Sequence, residues 1–232
     1  MDIKENFNVE SINRKIAKPW ILKKHYASRL PSISYYFGLY YKKSIVGVCT
    51  FGQPPAPKER KNWSFDIIEL NRLITEDDLP KNALSYFVSQ CLNKLPKPLV
   101  VLSYADPNNG HHGYIYQATN WIYVGQMKPG GLSKIWILGD KEWHGRHMMS
   151  KDVKRICGDN YDDNKSNYEN FRDIGGEIIN QEGKYKYYYF LGNKREKKQM
   201  KKELRYEPKP YPKGDNEEYD TGDKLHKQQR LF

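Results

Sequence analysis

Residues 65–106 read FDIIELNRLITEDDLPKNALSYFVSQCLNKLPKPLVVLSYAD. Phe65–Leu73 is an apolar-rich run that suits a strand, and Leu99–Leu102 is a short continuous apolar run that suits a strand covered on both faces. Between them Ala83, Leu84, Phe87, Val88, Cys91, Leu92 and Leu95 recur at the i, i+3, i+4 spacing of an amphipathic helix. Asp77 or Asp78 is placed to cap that helix and Pro80 to open it, while Pro96 and Pro98 stop it. A strand–helix–strand unit of this length predicts two parallel strands joined by a right-handed crossover.

Upstream, Ser34–Tyr40 and Ile45–Phe51 are aromatic-apolar runs separated by Tyr41–Ser44, a hairpin pattern. Gln53–Lys61, with its prolines and charges, reads as a loop. Ser11–Ser28 reads as a short basic helix or turn interrupted at Pro19. Downstream, the segment from His111 suggests a short helix, and Ile122–Val124, Lys134–Leu138 and Lys184–Leu191 suggest strands. Residues 139–182 read as polar connectors with room for one short helix. Residues 194–213 hold nine basic and three acidic side chains, with Met200 and Leu204 one turn apart, so a basic amphipathic helix is expected. Residues 214–232 are acidic, polar and nearly free of apolar side chains, the composition of a disordered tail. The expected fold class is α/β, an α+β domain with a mixed sheet over residues 16–213, preceded by an extension (1–15) and followed by the tail.

The chain has 232 residues and a formal charge of +11, with 14% aromatic residues. Such a balance favours a polyanionic partner, with solvated basic surface as the bland alternative. No stretch is long and apolar enough to cross a membrane, the N-terminus is not a secretory signal, and Cys49, Cys91 and Cys157 form no CxxC. A cytoplasmic, reducing setting is expected, and no internal repeat is present.

Unusual polar residues gather at the carboxyl ends of the two central strands, where ligands bind in open α/β sheets. Arg72 lies at the end of the first strand and Ser103 and Asp106 follow the second; if the strands are neighbours, Arg72 and Asp106 share one lip, or simply pair with each other. His111 and His112, with Asp106 and His25, invite a metal reading; their spacing matches no zinc pattern, and a two-His, one-carboxylate iron site stays open. Tyr26, Tyr114 and Tyr116 are candidate stacking or proton-relay phenols, and of the last two only one can face a given cavity from a helix. Basic stretches with interleaved rings, Pro19–Arg29 and Lys184–Arg205, suit phosphate contacts; Lys23, Lys24 and Arg29, with Lys58, Arg60 and Lys61 of the Pro-rich loop, are the candidate DNA-binding cations.

The blocks ELNRLITEDDLPKNALSYFVSQCL (69–92) and SYADPNNGHHGYIYQATNWIYVG (103–125), with HY at 25–26, the FGQPP loop (51–55) and PYPK (210–213), resemble the Mom family of phage DNA modification proteins. The resemblance implies a fold like that of the Gcn5-related N-acetyltransferases (GNAT). It also implies conversion of adenine in double-stranded DNA to its N6-carbamoylmethyl (acetamido) form, which shields phage DNA from host restriction. It marks His25, Tyr26, Arg72, Ser103, Asp106 and Tyr116 as the family's proposed site, and iron as a metal proposed for it, with His25 and Asp106 as candidate ligands here.

Acetyltransferases bind pyrophosphate on a glycine-rich turn at a helix N-terminus. The corresponding stretch here has no glycine and carries Glu76-Asp77-Asp78, which argues against acetyl-CoA as the routine donor and leaves the donor open. A flipped adenine is the expected substrate, because N6, its lone pair delocalised into the ring, is a poor nucleophile and a modifier must extrude and hold the base. Other readings stay open: a GNAT-type acyltransferase acting on a protein or small-molecule amine, and a non-catalytic DNA-binding anti-restriction protein. A homodimer is also open.

Overall fold

A computed structural model describes residues 2–25, 29–129 and 133–213. The strands are β1 (Phe7–Ser11), β2 (Tyr35–Tyr41), β3 (Ser44–Gly52), β4 (Ile67–Thr75), β5 (Leu99–Ala105), β6 (Ile122–Gln126), β7 (Lys134–Leu138), β8 (Lys141–His144), β9 (Glu177–Asn180) and β10 (Tyr185–Leu191). The helices are α1 (Ile3–Asn6), α2 (Arg14–Lys23), α3 (Pro57–Arg60), α4 (Ala83–Lys94), α5 (Tyr114–Ala118), α6 (Ser150–Cys157), α7 (Asn167–Asp173) and α8 (Lys194–Glu203). They form two compact units. The first comprises the chain up to Ala105, His112–Gly125 and the chain from Lys186; the second comprises Asp106–His111 and Gln126–Tyr185.

The first unit is built on a seven-stranded sheet in the order β1-β2-β3-β4-β5-β10-β6. β1 to β4 pair antiparallel in sequence, and β4 pairs parallel with β5, as the strand–helix–strand reading requires. The mixed α/β architecture expected from sequence is therefore the one observed. Ala83, Phe87, Val88, Cys91 and Leu92 form the buried face of α4, and Val100, Val101 and Leu102 of β5 are fully buried.

Several local readings differ. Residues 1–15, expected to lie outside the domain, contribute β1, whose Phe7 and Val9 are buried and which pairs with β2 along its whole length. α2 runs through Pro19 rather than breaking at it. The proline forfeits one backbone bond, and the burial of Ala17 and Ile21 against Val48 and Ile74 offsets that loss. The hairpin turn is tighter than expected: Tyr41 pairs with Ser44, and Lys42 and Lys43 take φ of 46° and 72°. Two consecutive positive-φ residues match the right-handed twist of the strands. α4 begins at Ala83 with Asn82 at its N-cap, so Asp77, Asp78 and Pro80 precede the helix instead of capping it.

Residues 139–182 are more than connectors. In the second unit the three-stranded sheet β8-β7-β9 and the helices α6 and α7 enclose a core of Trp136, Met148, Val153, Cys157 and Phe171. Trp136 packs edge-on against Phe171, with ring centroids 4.9 Å apart. Asn170, fully buried, bonds the backbone of Asp162, Lys165 and Ser166 and so fixes the loop before α7.

In the first unit the Pro-rich loop is held from within. Lys186 of β10 is 1% exposed, and its Nζ lies 2.6 Å from Glu59 Oε1 on α3. Tyr188 donates its hydroxyl to Glu59 Oε2 at 2.9 Å, and the rings of Tyr206 and Tyr188 lie 4.6 and 5.0 Å from the ammonium. Burial, reinforced by Glu59, pushes the Tyr104 and Tyr188 phenols far above their ordinary value, so both stay protonated. A buried charge whose partner is removed is costly, about 3–5 kcal/mol. Glu59→Ala is therefore expected to lower unfolding free energy by about that amount in urea titration, and Glu59→Gln with Lys186→Met is expected to recover most of it.

Candidate active site in the first unit

β4 and β5 are paired at Ile67/Val100, Ile68/Val101 and Glu69/Leu102. Past that point β4 runs on to Thr75 and β5 to Ala105. Backbone carbonyls released from a ladder must find other donors. Ser103, 1% exposed, supplies one: its Oγ lies 2.8 Å from the Leu70 carbonyl oxygen. The Tyr116 hydroxyl lies 2.7 Å from the same Oγ. A carbonyl can only accept, so Ser103 donates to Leu70 and Tyr116 donates to Ser103. The two candidates that sequence placed 13 residues apart thus form one buried relay.

Tyr116 is fixed by its neighbours as well as its hydroxyl. Its ring packs against Trp121 and Tyr187, each with centroids 5.0 Å away. Gly113, at the N-cap of α5, has φ +80°, and a Cβ there would lie 2.5 Å from the Tyr187 ring. Glycine is required at that position both for its backbone and for the close approach of Tyr187. The 205–213 segment straps the same region: Tyr211 donates to the Trp121 carbonyl at 2.6 Å, and Gln117 donates to the Pro212 carbonyl at 3.2 Å. The PYPK motif, read from sequence only as part of a likeness, is therefore a support for α5.

Arg72 lies on the same side of β4 as Leu70 and Ile74, at 9% exposure, where an apolar residue would be usual. Its guanidinium donates to the carbonyls of Asn71 at 2.5 Å and Arg29 at 2.9 Å. The adjacent Asn71 accepts from the buried Thr50 at 2.7 Å and donates to the Ser32 carbonyl at 2.9 Å. Thr50 and Asn71, which sequence reading did not single out, thus tie β3 and the 29–34 segment to β4 behind Arg72. A lone Thr in an apolar strand carries no signal of this role.

His25 is buried just beyond α2. Tyr26, a candidate from sequence, lies outside the described residues. Lys24, a candidate DNA contact, is paired with Glu76 at 2.5 Å and sits over the Trp20 ring, so its charge is already balanced; Lys23, Arg29, Lys58, Arg60 and Lys61 are exposed.

Asp106 belongs to the second unit, where it is buried. Its carboxylate lies 2.7 Å from Lys184 Nζ and accepts from Asn108 Nδ2 at 2.8 Å. Asn108 in turn bonds the backbone of Glu182. Burial works against ionisation of Asp106, but the Lys184 ammonium and the Asn108 donors outweigh it, and the carboxyl titrates below its ordinary value. Lys184 lies 78 residues downstream of Asp106, and sequence reading saw it only as the start of a strand.

Among the described residues no group of three or more His, Cys, Asp or Glu side chains is arranged around a metal position. Asp106 already faces an ammonium, which competes with any cation for the same oxygen. For acetyl-CoA, the turn before α4 is glycine-free and carries Glu76, Asp77 and Asp78, whose charges repel an anion. That turn is poorly suited to a pyrophosphate.

A parallel strand pair that parts over a buried Ser–Tyr relay, with an arginine inserted beside it, defines an α/β protein whose candidate site lies where the central strands separate. The chain matches the Mom protein family over residues 6–213 and belongs to that family. It is 29% identical over 219 residues to the methylcarbamoylase Mom of Escherichia phage Mu, covering 90% of this chain and 85% of that one. Among solved structures, it is similar to a GNAT family acetyltransferase from Elizabethkingia anophelis with acetyl-CoA bound (10% identity, 81% of this chain and 99% of that chain, TM-score 0.41). It is also similar to an N-acetyltransferase from Staphylococcus aureus Mu50 (12% identity, 80% of this chain and 98% of that chain, TM-score 0.41). Likenesses at that level do not by themselves define a fold.

Two outcomes follow from this geometry. Ser103→Ala strips Tyr116 and the Leu70 carbonyl of a shared partner, and is expected to cost about 1–3 kcal/mol of stability; in a double-mutant cycle with Tyr116→Phe the two losses are expected not to add. Asp106, with a folded pKa below its unfolded one, contributes stability that is complete above the unfolded value near pH ~3.9 and is lost as pH falls through the folded value. Asp106→Asn is expected to flatten the stability profile in that acid range, as read by thermal melts from pH ~2 to ~6.

Proposed function

We propose that this protein modifies adenine in DNA, replacing one hydrogen of N6 by a carbamoylmethyl group and so protecting the DNA from restriction. Membership of the Mom family carries this reading, since the match extends over residues 6–213 and contains every residue of the relay and of its supports. The methylcarbamoylase of phage Mu supplies the group transferred.

The chemistry asks three things of the protein. N6 is a weak nucleophile, because its lone pair is delocalised into the purine ring. The base must leave the stack, at a cost of a few kcal/mol, and be held with its Watson–Crick edge oriented. One N6 proton must be released as the new N–C bond forms. An aspartate that titrates low is a poor proton store but a good permanent acceptor, so Asp106 is assigned to accept a hydrogen bond from the N6 amino group. The Tyr116 hydroxyl, fixed by Ser103, would orient the donor, Arg72 would hold the oxygen of the donor's amide, Tyr26 would stack on the base, and the N6 proton would leave with the group that the donor loses as its bond to the carbamoylmethyl carbon breaks. Exposed cations, Lys23 and Arg29 with Lys58, Arg60 and Lys61, would take the backbone phosphates.

Nucleosides from DNA of cells expressing the protein are expected to contain an adenosine about 57 mass units heavier than normal, the increment for CH₂CONH₂ replacing hydrogen on a base extruded for reaction. Asp106→Asn is expected to reduce its yield by about 10²–10⁴-fold while leaving duplex binding intact. Unmodified DNA, together with acetylation of an amine by the purified protein, would point to an acyltransferase instead.

A further inference from the structure

We infer that α8 is a second phosphate-binding surface, and that its partner is the backbone of duplex DNA flanking the modified base; this rests on DNA being the substrate. Six of its ten residues are cationic, Lys194, Arg195, Lys197, Lys198, Lys201 and Lys202, and all six are exposed. The helix also carries two acids, and both are committed elsewhere. Glu196 accepts from the Asn193 backbone N–H at 2.7 Å and closes the N-terminal capping box. Glu203 accepts from the Ser64 N–H at 2.8 Å and the Ser64 hydroxyl at 2.5 Å. Burial works against ionisation of Glu203, but the Ser64 donors overcome it and hold the carboxyl below its ordinary value. Among the described residues none of the six cations is ion-paired. A charge run that serves only solubility is usually interleaved with acids at i±4, and here that neutralisation is missing.

Shape supports the same conclusion. Arg195, Lys198 and Lys202 stand at i, i+3 and i+7, on one face of the helix, and line a surface groove of about 610 Å³ whose wall includes Phe65. They span about 10 Å of helix axis. Each strand of a duplex presents one phosphate per ~3.4 Å of its axis, so the helix matches the charge density of the backbone over that length.

The fold also fastens this helix to the other basic element of the unit. Glu203 grips Ser64, and Glu59 grips Lys186 on β10, which leads into α8. The stretch between those two contacts carries Arg60 and Lys61 on its exposed side, and Lys58 lies immediately before it. Both acids are engaged by the fold while the lysines and arginines stay exposed, so the loop and α8 present cations from elements tied to one another. Met200, fully buried, anchors α8 to the core beneath.

The test is equilibrium binding of the full-length protein to a duplex oligonucleotide as a function of KCl, with the triple variant Arg195→Gln, Lys198→Gln, Lys202→Gln beside the wild type. Three lost phosphate contacts are expected to reduce the slope of log K against log salt by about 2.7 and weaken binding on the order of 10²-fold near 0.15 M salt. Lys198→Arg with Lys202→Arg is expected to bind like wild type, which separates loss of charge from disturbance of the helix. A triple variant that melts like wild type and binds with unchanged slope overturns the assignment of α8. Wild-type protein that binds no duplex overturns it together with the DNA reading on which it rests. Duplex binding with the expected slope change, but no heavy adenosine in cellular DNA, contradicts the proposed modification and leaves the surface standing.

Discussion

The first unit depends on what happens where β4 and β5 stop pairing. Up to Glu69 and Leu102 the two strands satisfy each other's backbone; beyond, the carbonyl of Leu70 is served by a side chain, Ser103, which is itself served by Tyr116. A hydroxyl in place of a ladder amide is a neutral, low-barrier way to let two parallel strands diverge without orphaning a buried acceptor. Everything around it is arranged to hold the phenol that completes the chain: Gly113 lets Tyr187 close on Tyr116, Trp121 packs its other side, and Tyr211 straps Trp121 from the end of the described chain. The atoms proposed for the chemistry therefore also hold the fold, and a substitution here that affects one is expected to affect the other.

Charge is handled in two contrasting ways. Inside the first unit the buried ammonium of Lys186 is neutralised by Glu59, where desolvation would otherwise make a lone ammonium intolerable. On the surface the basic excess is left uncompensated: the acids of α3 and α8 turn inward to serve the fold, and the cations beside them stay in solvent. A formal charge of +11 is thus unevenly spread, and the loop and helix around Ser64 concentrate it.

How much of this the sequence carries varies with the physics of each element. α4 and β5 are legible because burial there is continuous and periodic, from Ala83 to Leu92 and from Leu99 to Leu102. The hairpin is legible too, apart from its two-lysine turn, since lysine is an unusual choice for positive φ. β1 escapes because only Phe7 and Val9 face inward from a polar segment. The second unit escapes because Trp136, Met148, Val153, Cys157 and Phe171 are each set among polar neighbours and meet only in three dimensions. At the site, the family likeness points to Ser103 and Tyr116, but their contact is a fact of folding. Lys184 as the partner of Asp106, and Thr50 and Asn71 behind Arg72, depend on long-range pairings that no local pattern encodes.

The most direct test of the central claim, that the parting of β4 and β5 receives an adenine, is a heteronuclear NMR titration with a short single strand containing one adenine, beside the same strand with an abasic residue in its place. The account predicts that the adenine strand alone perturbs the amides of Leu70–Arg72, Ser103–Tyr104 and Tyr114–Tyr116, while both strands perturb the exposed basic residues alike. Identical perturbations from the two strands, confined to the basic surface, would contradict it.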